Sequence, residues 1–130
     1  MSVHREPVST AAAPAAIGPY SQAIRSGGLL FCSGQIPLDP ATGELADGSV
    51  GDQARRCLQN LEAVCVAAGA RLVDAVRLTV FMTDLSAFAE LNEVYAGYFG
   101  DAPPARVTVG VVALPKGARV EIDAIVALLD

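Results

Sequence analysis

The chain reads as an α+β domain with elements in the order β-β-α-β-α-β-β, both helices lying on one face of a mixed sheet. Three observations predict this. Apolar and polar residues alternate with period two in several short segments, the signature of half-buried strands. Two further segments carry apolar residues at helical spacing, and a glycine closes each. Each of these helices lies between two strands, and right-handed crossovers return the chain to the sheet on the same side both times.

Residues 1–12 are polar, contain Pro7 and lack periodicity, so they read as a flexible arm ahead of a single domain over 13–130. Gly18-Pro19 opens an extended stretch over 20–26. Gly27-Gly28 is a two-residue hairpin signal, and Leu29-Leu30-Phe31-Cys32-Ser33 follows as an apolar strand. Residues 34–51 are rich in Gly, Pro and Asp and form a long loop, and for its 38–51 part a lid and a plain connector fit equally. Asp52 is the expected cap of a helix with Ala54, Leu58, Leu61, Cys65 and Ala68 on its buried stripe, ended by Gly69. In 75–82, Val76, Leu78, Val80 and Met82 are expected to share one face. Asp84 or Ser86 starts a second helix with Leu85, Phe88, Leu91, Tyr95 and Tyr98 on one side, ended by Gly100. Pro103-Pro104 precedes a strand over 105–112, Pro115-Lys116-Gly117 is a turn, and the last strand covers 119–128.

Composition narrows the function. The 130 residues suit one domain, and 52% are hydrophobic against 18% charged, with mean hydropathy +0.42. A domain of this size has too little interior to hide that much apolar surface, and the strands are apolar on both sides. No apolar run reaches the roughly 20 residues that span a bilayer, so burial between subunits, sheet inward, is the expected outlet. Nine basic and fourteen acidic residues give net charge −5, and the basic residues are scattered, with Lys116 the one lysine. Nucleic acid is therefore not an expected partner, nor is a membrane. Cys32, Cys57 and Cys65 lack a CxxC spacing, and His4 is the sole histidine. A histidine-based nucleophilic triad or a multi-histidine zinc site thus lacks its parts. The first residues have no signal-peptide pattern, so a cytoplasmic location is expected.

Arg106 and Thr108 share one strand face, and an arginine in an apolar strand is costly to bury without a partner. Two readings follow. Arg106 forms a structural salt bridge with Glu121 or Asp123, or it clamps a ligand carboxylate with two parallel hydrogen bonds.

The motifs Gly18-Pro19-Tyr20-Ser21-Gln22-Ala23, Cys32-Ser33-Gly34-Gln35-Ile36-Pro37, Asn60-Leu61, Pro104-Ala105-Arg106 and Leu114-Pro115-Lys116-Gly117, followed by Val120-Glu121-Ile122-Asp123-Ala124, stand in the order found in one family. Over about residue 13 to the C-terminus the chain resembles the reactive-intermediate deaminase (RidA/YjgF) family. The resemblance implies a chorismate-mutase-like fold, a homotrimer with clefts between subunits, and hydrolysis of 2-imino acids such as 2-iminobutanoate and 2-iminopropanoate to 2-keto acids and ammonia. It implies no metal or organic cofactor. By motif, Arg106 resembles the carboxylate-binding arginine and Glu121 the acid that activates water. Tyr20 resembles a catalytic cleft residue that returns a proton. Ser33, Asn92 and the backbone near Gly34 and Thr108 resemble substrate contacts. Many members carry cysteine where this chain has Thr108, and hydrolysis by water does not need that thiol. Two rivals to the enzyme are a non-catalytic 2-keto-acid sensor built on the same pocket and a ribonuclease.

Overall fold

The computed structural model describes residues 3–129. Its strands are β1 (Glu6–Val8), β2 (Ala23–Ser26), β3 (Leu29–Gln35), β4 (Ala75–Met82), β5 (Ala105–Gly110) and β6 (Val120–Ala127). The helices are α1 (Val50–Ala67), between β3 and β4, and α2 (Phe88–Phe99), between β4 and β5. The strands form one mixed sheet in the order β1-β2-β3-β6-β4-β5. Only β4 and β5 pair in parallel, which is what the α2 crossover requires.

The expected order holds from β2 onward, with one addition. Glu6–Val8, placed in the arm by sequence, pairs antiparallel with β2 as an edge strand. Three residues, one of them proline, are too few to show a period, and an edge is where a strand tolerates a missing N–H. Behind it the Gln22 side chain, buried, donates to the carbonyls of Pro14 (2.8 Å) and Thr10 (3.1 Å) and accepts from the Thr10 N–H (2.7 Å). That ties the segment before β2 to the sheet.

The β2–β3 hairpin turns at Gly27 and Gly28, both with positive φ (61° and 81°), as a tight primed turn demands. Helix α1 is capped by Ser49, not Asp52. The Ser49 side chain accepts from the Asp52 N–H while the Asp52 carboxylate accepts from the Ser49 N–H, so Asp52 is the third residue of a capping box. Gly69 (φ 75°) closes the helix as expected.

One core holds the helices to the sheet. Leu58, Leu61 and Val64 of α1 and Leu91 of α2 meet Leu30, Leu78, Val80, Ile122 and Val126, all fully buried. Each such side chain contributes about 1.5–3 kcal/mol by leaving water. Three expected core positions fall outside it: Val76, Leu85 and Phe88. Val76 sits where the β4–β6 register slips between Ala75 and Arg77, and the bulge turns it outward. Leu85 belongs to a 3₁₀ turn before α2, so the buried stripe of that helix is Leu91, Tyr95 and Phe99.

The other sheet face has no helix over it. Phe31, Val107 and Val109 lie there at 42%, 39% and 37% exposure, with Phe81 and Ile125 half-buried beside them. The 36–47 segment is pinned rather than free. Leu38 bridges Leu45, a small cluster of Ile36, Leu38 and Ala118 anchors it, and the buried Asn60 side chain donates to the Leu38 carbonyl (2.9 Å).

Candidate active site

The expected site residues fall into two groups. In the first, Tyr20, Ser33, Gly34 and Glu121 line a cavity of about 330 Å³ together with Ile17, Ile36 and Pro115. A β-bulge builds it. Between Cys32 and Gln35 the β3 chain spends one residue more than β6 does between Ala124 and Ile122, which lifts Ser33 and Gly34 out of the ladder beside Glu121. A Cβ at Gly34 would collide with the Glu121 carboxylate oxygen, so the missing side chain is what lets the carboxylate sit there.

The polar groups of this cavity have defined roles left open. The Ser33 hydroxyl donates to the Ser21 carbonyl at 2.6 Å, so toward the cavity it offers lone pairs. The Tyr20 hydroxyl accepts from the Ile17 N–H at 3.2 Å and keeps its own proton to donate. Among the described residues nothing pairs with the Glu121 carboxylate. Burial, with a smaller contribution from the neighbouring Asp123 charge, raises its pKa above the ordinary glutamate value. Asp123 itself is engaged, accepting from the Thr79 N–H at 3.1 Å.

The second group surrounds Arg106 on edge strand β5. Asn92 of α2 accepts from its Nη1 at 2.8 Å. The rings of Tyr95 and Phe88 lie 4.7 Å and 5.3 Å from its Cζ. Thr108 shares the face, its buried hydroxyl without a partner among the described residues. Beside the guanidinium opens a hollow of about 510 Å³, bounded by Asn92, Tyr95, Pro103 and Pro104.

The salt-bridge reading of Arg106 is thereby corrected. In register, Arg106 stands opposite Leu78 on the helix side of the sheet, whereas Glu121 stands opposite Phe81 on the open side. Within one chain neither Glu121 nor Asp123 faces the guanidinium, and among the described residues no carboxylate pairs with it. The structure thus brings Tyr20, Ser33, Gly34 and Glu121 together, and Asn92, Arg106 and Thr108 together, and keeps the two sets apart.

Sequence reasoning missed the apolar walls Ile17, Ile36 and Pro115 and the two rings on Arg106. The rings had a signal: Phe88, Asn92 and Tyr95 are spaced i, i+4, i+7, one face of a helix. Among the described residues no three His, Cys, Asp or Glu side chains cluster to hold a metal, and no helix is long and apolar enough to cross a membrane.

The family model described as Endoribonuclease L-PSP matches residues 10–128. A RutC family protein of Sinorhizobium fredii is 54% identical, the match covering 95% of this chain and 98% of the relative. The 2-iminobutanoate/2-iminopropanoate deaminase of Bos taurus is 46% identical, over 95% and 90% of the two chains. The crystal structure of E. coli TdcF with bound serine superposes with TM-score 0.89 at 46% identity, covering 95% and 99%. With a family model across nearly its whole length and relatives at this identity, the chain belongs to the L-PSP (RidA/YjgF) family.

Proposed function

We propose that this protein hydrolyses reactive 2-imino acids, such as 2-iminobutanoate and 2-iminopropanoate, to 2-keto acids and ammonia, in clefts between the subunits of a homotrimer. One observation carries the reading: an unpaired guanidinium and an unpaired carboxylate, each beside its own hollow, lie on opposite faces of one sheet. A neighbouring copy that covers the open face, with its Phe31, Val107 and Val109, supplies the half that each protomer lacks. The relatives named as deaminases and the solved relative holding an amino acid support the substrate class.

In this scheme Arg106, steadied by Asn92, takes the substrate carboxylate with two parallel hydrogen bonds, and backbone amides near Gly34 and Thr108 complete its binding. That fixes the C=N carbon above the Glu121 pocket and makes the attack effectively unimolecular. Glu121 removes a proton from water as the oxygen bonds to carbon. Ser33, offering only lone pairs, receives an N–H of the substrate. The aminoalcohol formed takes a proton at nitrogen from Glu121 or Tyr20, its C–N bond breaks as the carbinol O–H proton returns to the group that donated, and ammonia leaves a 2-keto acid. The scheme calls on no metal or organic cofactor.

The test is ammonia release from freshly generated 2-iminobutanoate. Acceleration over the solvent rate, abolished in Arg106→Ala, is the expected result. Binding of 2-ketobutanoate without acceleration supports the sensor instead. RNA binding that weakens steeply with salt supports the ribonuclease that the family description names.

A further inference from the structure

Arg106 needs more than an acceptor at one nitrogen to serve as a clamp. A guanidinium on a three-carbon stem turns freely about its last torsions, and Asn92 restrains only Nη1. Beside it lie two aromatic rings. Tyr95 and Phe88 both lie within the roughly 6 Å over which a ring face attracts a cation. With its Cζ over both rings and its Nη1 held by Asn92, the group keeps Nε and Nη2 to offer, which among the described residues carry no hydrogen bond. Tyr95 is 6% exposed, and its buried hydroxyl has no partner among the described residues. The ring, not the hydroxyl, is therefore what this position uses.

We infer that Phe88 and Tyr95 are positioning residues: they hold the Arg106 guanidinium as an oriented plate that takes a planar carboxylate edge-on and discriminates against a neutral group of the same shape. This deepens the substrate-binding reading above and rests on it. Rings at these two positions select for the anion, because an oriented fork rewards two parallel acceptors and a single amide oxygen supplies one.

The experiment measures binding of 2-ketobutanoate and of its neutral amide, 2-ketobutanamide, to the assembled protein carrying Phe88→Leu, Tyr95→Leu or Tyr95→Phe. Phe88 is partly exposed, so its leucine variant folds even if Tyr95→Leu does not. Phe88→Leu and Tyr95→Leu are expected to weaken the keto acid about three- to tenfold and to leave the amide unchanged, so that selectivity for the anion falls. In the imine assay the same variants raise KM with little change in kcat, and Tyr95→Phe, which keeps the ring, keeps the selectivity for the anion. A second readout needs no ligand: the NMR order parameter of the Arg106 Nε–H falls in both leucine variants. Equal loss of keto acid and amide, or an unchanged order parameter, overturns the inference and leaves the proposed function standing. Wild-type protein that binds no keto acid overturns the proposed function, and the order parameter then still decides whether the rings orient the guanidinium.

Discussion

The Glu121 pocket and the Arg106 cluster are opposites in almost every physical respect. Glu121 stands on β6, in the middle of the sheet, beside a backbone bulge, and its carboxylate has no cation within the described chain. Arg106 stands on the edge strand β5, its guanidinium held by an amide and two rings with no carboxylate. A half-buried charge left without an opposite is costly, and a chain free to choose would pair the two. The chain places them on opposite faces, so within one protomer each lacks an opposite charge, which the proposed scheme draws from a neighbouring copy.

The comparison breaks most sharply at its two charges. Arg106→Ala is expected to remove imine hydrolysis with circular dichroism and assembly unchanged, and Arg106→Lys to recover little, because an ammonium cannot form the parallel pair. Glu121→Gln is expected to lower turnover by about a hundredfold or more while keto-acid binding changes less. Equal effects on binding and turnover would deny Glu121 the role of base.

The bulge sharpens the contrast one step down. Gly34→Ala puts a methyl where the Glu121 carboxylate sits, so the carboxylate must move. About tenfold slower turnover with a smaller loss of keto-acid binding is the expected result, since the Glu121 carboxylate is the group displaced. Activity equal to wild type would mean that the carboxylate position is not critical.

Proton binding links the halves. The folded-state pKa of Glu121 is raised, chiefly by burial. A base works ionised, so activity falls as pH drops through the Glu121 value, which burial raises and a guanidinium brought beside it by a second copy lowers. The same shift has a stability consequence: folding favours the protonated acid, so this side chain's contribution weakens as pH rises from the unfolded to the folded value. If the halves meet between copies, Arg106→Ala removes a nearby positive charge and moves the Glu121 carboxyl titration further up, read by carbon NMR. An unmoved titration means they do not meet.

The smallest effect lies in a region outside both halves. Ser49→Ala removes one side of the α1 capping box and is expected to cost about 1 kcal/mol, a drop of a few degrees in Tm, with activity at room temperature unchanged. Lost activity there would show that the site depends on α1 more closely than the geometry implies.

Much of this was legible in the sequence where a period was long enough to read. Alternation marked β4, β5 and β6, and Gly27, Gly28, Gly69 and Gly100 stopped the elements they adjoin because each holds a positive φ. β1 escaped because three residues carry no period. Val76 was misplaced because a bulge resets alternation, and Asp52 was taken for the cap because a capping box carries two candidate residues. For the site, the motifs marked the polar residues, but sorting Glu121 from Arg106 required strand pairing, which no local pattern encodes. Tyr95 is core as its spacing predicts, whereas Phe88 is exposed, and spacing alone does not show that either ring also packs on a guanidinium.

The central claim is that one protomer's Arg106 works with another's Glu121. Arg106→Ala and Glu121→Gln proteins, each inactive, are unfolded together, refolded as a one-to-one mixture and assayed for ammonia release from 2-iminobutanoate. If each site joins residues of two copies in a ring, random assembly gives about a quarter of the sites both native residues, and about a quarter of wild-type activity returns. If both residues serve from one chain, every site in the mixture keeps a defect, and a mixture as inactive as its components would contradict the account.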